Sequence, residues 1–480
     1  MNGLLTLRIL GALLLFLSVA LLVPVPFSFF FHDGASPAFG LASIITFLVG
    51  LILFKACRSS KELSVREGFA IVSFGWIFYA LFGALPFTFS GSIPSYVDAV
   101  FETMSGFTTT GSTILTQIEG LPESILLWRA LTHWLGGMGI IVLSLAILPM
   151  LGVGGMQLFK AEVPGPTADR LKPRIQDTAK LLWGVYVLLT AAEVVLLMFG
   201  GMNFYEALCH AFATLATGGF STRNASVGGY DSAYIDWVIT AFMFLAGVNF
   251  SLHYQALRGR LGDFFRNEEF RFYLYVTVGV TALIVFLNQG SVYSSWSDNL
   301  RYSSFQTVSI ITTTGFGTAD YEQWSVLAQY LLVFLMFFGG CAGSTAGGIK
   351  TARILLVLKY AQVQLFRLIH PKSVRLVKLG DLPVDRDVMQ AILGFFTLYI
   401  VVWVAASFLM AGLGLDLTSA AASVIATLGN IGPGLGSVGP TDNFAHVPQL
   451  GKVVLTICML LGRLELFTVL VLFFPSFWRK

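Results

Sequence analysis

The amino-acid sequence predicts an all-α polytopic membrane protein, and three observations favour this fold class. Of the 480 residues, 56% are hydrophobic and only 11% are charged, whereas about 25% of the residues in a soluble domain are charged. The mean hydropathy is high, at +0.78. Apolar runs of about 20 residues, the length of helix that crosses a bilayer, recur along the chain. The composition therefore excludes a soluble protein of ordinary type.

Ten apolar runs are candidate membrane-spanning helices, and they lie near residues 9–24, 38–57, 68–90, 125–150, 178–201, 234–257, 272–290, 325–356, 388–412 and 448–475. The first two predict an N-terminal transmembrane hairpin over residues 1–60. A cleaved signal peptide is the alternative for the first run, but no small-x-small cleavage site follows it and the second run comes directly after. We therefore expect the hairpin to be retained.

Basic residues follow every second apolar run. The 29 Lys and Arg residues, which leave a net charge of +3, are spread over short connecting stretches near residues 58–66, 160–180, 258–271, 359–386 and 479–480. They form no single basic face, so we expect no nucleic-acid partner. Because basic loops of membrane proteins stay in the cytoplasm, these loops and both termini are predicted to be cytoplasmic.

Four loops on the opposite side share one pattern, in which a short semi-apolar segment precedes a Thr/Gly cluster. The short segments are residues 98–108, 204–215, 300–312 and 417–426. About eleven residues of helix span roughly 16 Å, which is half a membrane. The clusters are Thr109-Thr110-Gly111, Ala216-Thr217-Gly218, Thr313-Thr314-Gly315 and Thr427-Leu428-Gly429. Irregular backbone at this depth must be buried in protein or line a water-filled cavity, so the four loops are expected to share an axis.

This repeat divides the chain into modules. After the hairpin we predict four pseudo-fourfold modules around a central pore, each with a helix, a pore loop and a second helix. Their boundaries are predicted at residues 61–155, 156–262, 263–375 and 376–480. Every module begins and ends in the cytoplasm.

The clusters predict a site for a monovalent cation. Glycine can adopt backbone angles that turn successive carbonyl oxygens to one side, and threonine adds a hydroxyl oxygen. Rings of such oxygens replace the hydration shell of potassium in channel filters with the sequence TVGYG. We therefore predict K⁺ at Thr110, Gly111, Thr217, Gly218, Thr314, Gly315, Leu428 and Gly429. The alternative is that small residues occur here only because membrane helices pack closely.

Two further features are candidates for control of a pore. Residues 339–348 contain five glycines inside an overlong apolar run. Because glycine disfavours helix, a helix is expected to break there. The alternative is that these small residues only let two helices pack closely.

Arg463 lies fifteen residues beyond Pro448, about 22 Å along a helix and so past the membrane centre. We expect Arg463 to face the pore, since an unpaired charge at this depth is costly. The alternatives are snorkelling to the interface or pairing with Glu465, which is disfavoured because the two residues are two positions apart.

Other ionisable residues have simpler interpretations. His133, His210 and Glu193 have no evident partner in the sequence, and packing roles are favoured over proton relays. Asp98 and Glu102 suit the positive end of the first short helix and are expected to concentrate cations at the pore mouth. The four cysteines lack metal-ligand spacing and are expected to be buried apolar residues: Cys57, Cys209, Cys341 and Cys458.

The four clusters, the 339–348 segment and the sequence Gly462-Arg463-Leu464-Glu465 resemble TrkH-type potassium uptake proteins of the Trk, Ktr and HKT superfamily, over essentially the whole chain. The resemblance implies potassium selectivity, favoured here by the glycine at position 111, and rubidium as a further permeant ion. It implies that Gly343, Ser344, Thr345, Ala346 and Gly347 obstruct the pore and move on gating. It also implies a homodimer in the lipid of a bacterial inner membrane.

The same resemblance implies a cytoplasmic nucleotide-binding ring of TrkA type. The chain has no GxGxxG or P-loop motif, so we expect nucleotide on that partner and no cofactor on this chain besides K⁺. The alternative function is an alternating-access cation symporter, which is disfavoured because the four repeats share one orientation. An enzyme is not expected, since no nucleophile–base or metal motif appears.

Overall fold

The computed structural model describes residues 3–57, 65–146 and 175–479, and most of these residues are helical. The N-terminal hairpin consists of α1 (Gly3–Ala20), the short α2 (Val25–Phe31) and α3 (Ser36–Ala56). Helices α1 and α3 pack against each other at small residues. A Cβ atom added at Gly11 would lie 2.6 Å from the backbone N of Phe54 and 2.7 Å from the carbonyl oxygen of Gly50. The two helix backbones therefore approach as closely as glycine permits.

Four modules follow, and each contains a first helix, a short helix, a loop and a second helix. The first helices are α4 (Val65–Gly83, extended by α5, Leu85–Phe89), α8 (Ile175–Phe199), α13 (Glu268–Asn288) and α17 (Arg386–Gly412). The short helices are α6 (Tyr96–Phe107), α9 (Phe204–Leu215), α14 (Trp296–Ile311) and α18 (Leu417–Leu428). The second helices or their parts are α7 (Glu123–Ala146), α10 (Ala233–Ala246) with α11 (Phe250–Leu257), α15 (Val326–Met336) with α16 (Thr351–Ile369), and α19 (Gln449–Arg463) with α20 (Phe467–Leu470).

The remaining elements are small. Helix α12 (Gly262–Arg266) leads into the third module, and α21 (Pro475–Trp478) ends the described chain. A two-stranded antiparallel hairpin, β1 (Lys378–Leu379) with β2 (Leu382–Pro383), lies between α16 and α17. Single 3₁₀ turns occupy Ser226–Tyr230, Tyr321–Gln323, Gly436–Val438 and Val471–Phe473.

The predicted fold class is confirmed, with fewer straight spans than the ten expected. Within the described residues, six helices are long and apolar enough to cross a membrane, and two bent helix pairs would bring the number to eight. Of the other two expected spans, 325–356 is divided between α15 and α16. The other, 125–150, contains α7 and extends beyond the described residues. The module boundaries stay predictions, and those at 60/61 and 155/156 lie outside the described residues, as do the basic stretches 58–64 and 160–174.

Two of the expected spans, 234–257 and 448–475, are not continuous helices. Helices α10 and α11 meet at 104°, and the α19 and α20 segments meet at 113°. The first bend follows from capping, because the Asn249 side chain accepts a hydrogen bond from the backbone N of Ser251 and so starts a new helix. The second bend lies at Glu465 and Leu466, which have positive φ angles of 57° and 21°. The second helices of modules 2, 3 and 4 are therefore all interrupted.

All four short helices begin with an N-cap side chain. Their N-cap side chains accept a hydrogen bond from a backbone N–H in the first turn; the caps are Ser95, Asn203, Ser295 and Asp416. Such caps stabilise a helix start by about 1 kcal/mol. The sequence thus sets the start of every short helix locally.

The close contact between α1 and α3 generates a stability prediction. Gly11→Ala should lower the thermal unfolding temperature of the purified protein, because overpacking typically costs about 1–3 kcal/mol. Gly40→Ala in α3 is the matched control, since a Cβ there meets no atom within 4 Å. The control should be neutral or slightly stabilising, because alanine favours helix over glycine. Equal unfolding temperatures for both variants would show that the α1–α3 contact tolerates a side chain.

Candidate ion-binding site

The loops that follow the four short helices share one backbone conformation. We name them loop 1 (108–112), loop 2 (216–220), loop 3 (312–316) and loop 4 (429–433). The second residue of each loop has a left-handed conformation, with φ of 50° at Thr109, 56° at Thr217, 57° at Thr313 and 54° at Asn430. The fourth residue is a left-handed glycine: Gly111, Gly219, Gly315 and Gly432. A residue other than glycine is strained in this conformation, by about 1–3 kcal/mol. Because the same strained residue recurs in all four loops, the loops are candidates for a functional site.

A matching hydrogen bond fixes the register of the repeat. The backbone N of the third loop residue donates to a carbonyl oxygen in the last turns of the short helix, at 2.8 Å in every module; the pairs are Thr110 to Ser105, Gly218 to Ala213, Thr314 to Ser309 and Ile431 to Ala426. The backbone equivalents of Thr109-Thr110-Gly111 are therefore Thr217-Gly218-Gly219, Thr313-Thr314-Gly315 and Asn430-Ile431-Gly432.

The alignment expected from sequence was correct in loops 1 and 3 and displaced in the other two. In module 2 it was displaced by one residue, so Ala216 is the helix C-cap and Gly218 occupies the position before the glycine. In module 4 it was displaced by three residues. There Thr427 and Leu428 belong to α18 and Gly429 is its C-cap in a right-handed conformation. The alignment failed because a Thr-x-Gly pattern occurs at the helix end, and only the left-handed φ angles identify the loop residues.

The four left-handed glycines close the loops into a ring. A Cβ atom added at Gly111 would lie less than 3.0 Å from the carbonyl oxygen of Gly218, and one at Gly219 equally close to that of Thr314. The same holds for Gly315 against Ile431 and for Gly432 against Thr110. The contacts run from loop 1 to 2, 2 to 3, 3 to 4 and 4 back to 1. The four backbones therefore surround one axis, as the repeat predicts.

Hydrogen bonds tie each neighbouring pair of modules around this ring. Ile118 N donates to Asn224 Oδ1 at 2.9 Å between modules 1 and 2, and Gly228 N to Gly317 O at 3.0 Å between modules 2 and 3. Tyr321 Oη donates to Gly434 O at 2.6 Å, and Ser112 Oγ to Gly432 O at 3.1 Å. The ring is thus held by many weak contacts, each worth about 0.5–1.5 kcal/mol.

A buried ion pair connects α6 and α7 with residues in or next to loops 1 and 2. Arg129 of α7 lies with its Nε 2.6 Å from Oε1 of Glu102, and both side chains are buried. Arg129 also donates to Ser221 O at 3.0 Å and stacks on the Phe220 ring. Glu102 accepts from Ile114 N at 3.0 Å. The ion pair therefore joins α6 to Ile114, just after loop 1, and to Phe220 in loop 2.

The expected role of Glu102 at a pore mouth is wrong. Glu102 lies one helical turn after Asp98, on the face of α6 that packs against α7, so it is fully buried and paired. Asp98 stays partly exposed, and its carboxylate pairs with Lys452 at 2.7 Å. Of these two carboxylates, only that of Asp98 reaches solvent.

Two buried histidines have packing roles, as expected. His133 donates from Nδ1 to Gly106 O at 2.8 Å and accepts at Nε2 from Phe220 N at 3.3 Å. His210 bonds Glu206 O at 2.8 Å and Ser221 Oγ at 3.0 Å. The His133 ring joins α6 to loop 2, and the His210 ring joins α9 to Ser221, directly after loop 2. Glu193 differs, because it is fully buried and its carboxyl oxygens make no hydrogen bond of standard geometry to the described residues.

The 339–348 segment is an irregular stretch between α15 and α16, which confirms the predicted helix break. Its contacts reach the loops and the short helices. Gly347 N donates to Thr313 Oγ1 at 2.6 Å, and Thr345 Oγ1 donates to Leu215 O at 2.8 Å. Cys341 N donates to Gly247 O at 2.8 Å, at the bend between α10 and α11. The segment is therefore hydrogen-bonded to the end of α9 and to loop 3, directly after α14.

Arg463 is buried, with 3% of its side chain exposed. Its Nη1 donates to Thr345 O at 2.7 Å, and its Nη2 to Gly136 O at 3.3 Å. The guanidinium therefore holds the 339–348 segment and does not snorkel to the interface. The expectation that Arg463 would not pair with Glu465 is confirmed, since Glu465 pairs with Arg353 of α16 at 2.6 Å.

Five residues of this assembly were not among the predicted site residues: Arg129, Gly219, Asn430, Ile431 and Gly432. An arginine inside an apolar run was a signal for Arg129, since charges within membrane helices are rarely without a partner. Gly-Gly at 218–219 and Gly-Asn-Ile-Gly-Pro at 429–433 allowed more than one alignment. Within the described residues no cluster of three or more His, Cys, Asp or Glu could hold a metal ion, and all four cysteines are buried and free.

Comparison with known proteins agrees with this architecture. Residues 35–480 match the TrkH family, described as cation transport proteins. The chain is 44% identical to the "Trk system potassium uptake protein TrkH" of Escherichia coli K12, with 98% of this chain and 99% of that protein covered. It is 33% identical to TrkG of the same organism, with coverage of 98% and 97%.

A crystal structure of the potassium transporter TrkH from Vibrio parahaemolyticus superposes with a TM-score of 0.92 at 38% sequence identity, over 100% of both chains. The agreement covers the hairpin and all four modules. On its sequence and its fold, this chain belongs to the TrkH family of cation transport proteins.

Proposed function

We propose that this protein takes up potassium across the cytoplasmic membrane through a channel-like pore. The observation that carries the proposal is the closed ring of loops 1 to 4, in which glycine of each loop packs against a carbonyl oxygen of the next. Backbone oxygens held around one axis can replace the hydration shell of a monovalent cation. The names of the relatives, which are potassium uptake proteins, support the choice of ion.

The proposed selectivity filter uses the register found in the backbone. Its oxygens come from Thr109-Thr110-Gly111, Thr217-Gly218-Gly219, Thr313-Thr314-Gly315 and Asn430-Ile431-Gly432. The C-terminal ends of the four short helices, each equivalent to about half a negative charge, favour a cation just inside this ring. Leu428 and Gly429, at the end of α18, contribute to that helix end and not to the ring.

The proposed gate consists of residues 343–347 and Arg463. Two hydrogen bonds support this assignment. The Arg463 guanidinium donates to Thr345 O, and Gly347 N donates to Thr313 Oγ1 of loop 3. A fixed positive charge in a surround of low dielectric constant opposes a cation in the same pathway. Withdrawal of the segment and of Arg463 would open the pathway.

The biological setting belongs to the proposal as well. We infer a homodimer with both termini in the cytoplasm of a bacterium, controlled by a nucleotide-binding ring of TrkA type that acts on the gate. The chain itself would bind K⁺ and no nucleotide. An alternating-access symporter is the second candidate, and Glu193, buried without a standard hydrogen bond, is the observation in its favour. Single-channel current steps in a planar bilayer would support the channel, and their absence beside sustained ion exchange would support the symporter.

Replacement of Gly111 by serine should raise sodium permeation relative to potassium. The side chain would collide with Gly218 O and would be strained at φ of 85°, so the carbonyl ring must distort. Gly91→Ser is the matched control, because Gly91 has φ of 75° but open space around it. Reversal potentials in mixed K⁺ and Na⁺ measure the effect. An unchanged permeability ratio in Gly111→Ser would remove Gly111 from the filter.

Deletion of residues 343–347 should raise rubidium flux and weaken control by the cytoplasmic partner. The deletion removes the carbonyl that Arg463 holds and the backbone that lies below loop 3. Rubidium uptake into liposomes, normalised to protein abundance and measured with and without the partner, tests this. If flux and partner dependence both match those of the unmodified protein, the segment serves packing only.

Arg463→Ala should raise potassium flux by removing the barrier charge, while the preference for potassium over sodium stays largely intact. Arg463→Lys keeps the charge but loses the planar group that bonds Thr345 O and Gly136 O together. The lysine variant is therefore expected between alanine and the unmodified protein. Normalised rubidium uptake is again the measurement, and flux unchanged in both variants would exclude Arg463 from the gate.

A further inference from the structure

The connection between modules 2 and 3 follows one boundary of the bilayer. Helix α10 runs in the direction of a membrane span and α11 leaves it at 104°, so α11 is directed roughly along the membrane plane. Helix α13 then begins at Glu268 and has 21 residues. Its length of about 31 Å matches the thickness of a hydrocarbon core. Residues 257–267 therefore lie at the membrane boundary, on the side that the basic loops predict to be cytoplasmic.

This connection exposes large apolar side chains. Leu257, Leu261 and Phe265 are 61%, 67% and 65% exposed. Segments that combine such apolar residues with basic ones at a membrane boundary typically place the apolar side chains among the headgroups and upper acyl chains of the lipid. The three side chains are therefore positioned to contact lipid.

Four arginines lie among and just after these apolar residues. All four are exposed, and no ion pair of the described residues involves them; they are Arg258, Arg260, Arg266 and Arg271. The Arg258 guanidinium lies over the Tyr254 ring, 4.8 Å from its centroid. The guanidinium groups are thus available to an anion from outside the chain.

The neighbouring carboxylates do not balance this charge. Glu268 pairs with Lys359 of α16 at 2.5 Å and accepts a hydrogen bond from Gly380 N at 2.7 Å. Glu269 is buried. Asp263 is the one other acidic residue in this stretch. The exposed surface therefore carries a net positive charge.

A second basic stretch on the same side, residues 359–386, has a different character. Lys359 is paired with Glu268, and the Arg367 side chain donates to Arg375 O at 2.9 Å. Arg386 lies between two aspartates in the sequence. Basic residues that serve only to orient a membrane chain can be neutralised in this way, since orientation depends on Lys and Arg and little on acidic residues. The unpaired arginines near α12 indicate a further role.

We propose that residues 257–271 bind the headgroup of an anionic phospholipid of the cytoplasmic leaflet. The guanidinium groups would hold the phosphate through charge-assisted hydrogen bonds. The exposed apolar side chains would contact the acyl chains. An anionic phospholipid satisfies the charge and the apolar surface together, whereas a free anion would leave the apolar surface uncovered.

The site lies next to a residue that holds the gate segment. Glu269, in the first turn of α13, accepts hydrogen bonds from Ala342 N at 2.7 Å and from Ala352 N at 3.1 Å. A lipid bound by Arg266 and Arg271, on either side of this turn, should fix the start of α13 and so favour the segment in its present position. This consequence, unlike the binding itself, rests on the proposed gate.

Lipid binding is measured on the full chain in detergent, as the rise of the thermal unfolding temperature on addition of lipid. Phosphatidylglycerol is compared with phosphatidylcholine of the same acyl chains, which has no net charge. The variant Arg260→Gln with Arg266→Gln removes two charges, and Arg260→Lys with Arg266→Lys keeps them. Arg386→Gln is the matched control, because it removes an exposed charge on the same side of the protein beside acidic residues.

Phosphatidylglycerol should raise the unfolding temperature of the unmodified protein more than phosphatidylcholine does. A basic residue near an anionic surface contributes roughly a fivefold factor to binding. The double glutamine variant should therefore bind phosphatidylglycerol about fivefold to thirtyfold more weakly, whereas the double lysine variant and Arg386→Gln should stay close to the unmodified protein. In phosphatidylglycerol liposomes without the cytoplasmic partner, rubidium flux should be higher in the double glutamine variant than in Arg386→Gln.

Equal phosphatidylglycerol affinity in the double glutamine variant and the unmodified protein would overturn the site. An equal stabilisation by glycerol phosphate, which has no acyl chains, would show that the site takes a free anion and no lipid. Weaker binding of the cytoplasmic partner at unchanged lipid affinity would assign the surface to a protein contact.

Two further results separate the site from the functions proposed above. Weaker lipid binding with unchanged rubidium flux would overturn the connection to the gate and leave the lipid site standing. An unchanged permeability ratio in Gly111→Ser would overturn the proposed filter and leave lipid affinity unaffected.

Discussion

The ring of four loops depends on the close approach of each left-handed glycine to a carbonyl oxygen of the next loop. No side chain fits at these four positions. The rest of the architecture is organised to hold them: four capped short helices bring the loops to one depth, and the second helices pack against their ends. Gly136 and Gly462, for example, leave space only for the carbonyl oxygens of Phe107 and Leu428.

Irregular backbone at membrane depth requires that every polar group finds a partner inside the protein. The structure meets this requirement differently in each module. Next to loops 1 and 2 it uses the buried Arg129–Glu102 pair and the hydrogen bonds of His133 and His210. The segments that follow loops 3 and 4 are joined by the hydroxyl of Tyr321. The ring is therefore fourfold in its backbone and asymmetric in its support, so equivalent substitutions in different loops need not have equal effects.

The interrupted second helices place functional groups that a straight helix could not. The 339–348 segment reaches the filter loops because α15 ends at Met336 and α16 begins only at Thr351. The bend after Arg463 turns Glu465 toward Arg353 of α16, so the helix that carries Arg463 is tied to the helix that follows the segment. A displacement of α16 would thus act on both parts of the proposed gate.

The sequence by itself determined the membrane class, the hairpin, four repeated modules and the break at residues 339–348. It placed the starts of α9 and α18, whereas α6 and α14 begin two and four residues before the predicted positions 98 and 300. Each of these depends on local composition, capping or hydrophobic length, which are readable along the chain. Only the tertiary structure decided the loop register, because Thr427-Leu428-Gly429 and Asn430-Ile431-Gly432 both end in glycine, and only the left-handed φ angles of Asn430 and Gly432 identify the second triplet as the loop. It also decided that Glu102 is buried and that Arg463 bonds Thr345, since both depend on residues more than 25 positions away in the chain.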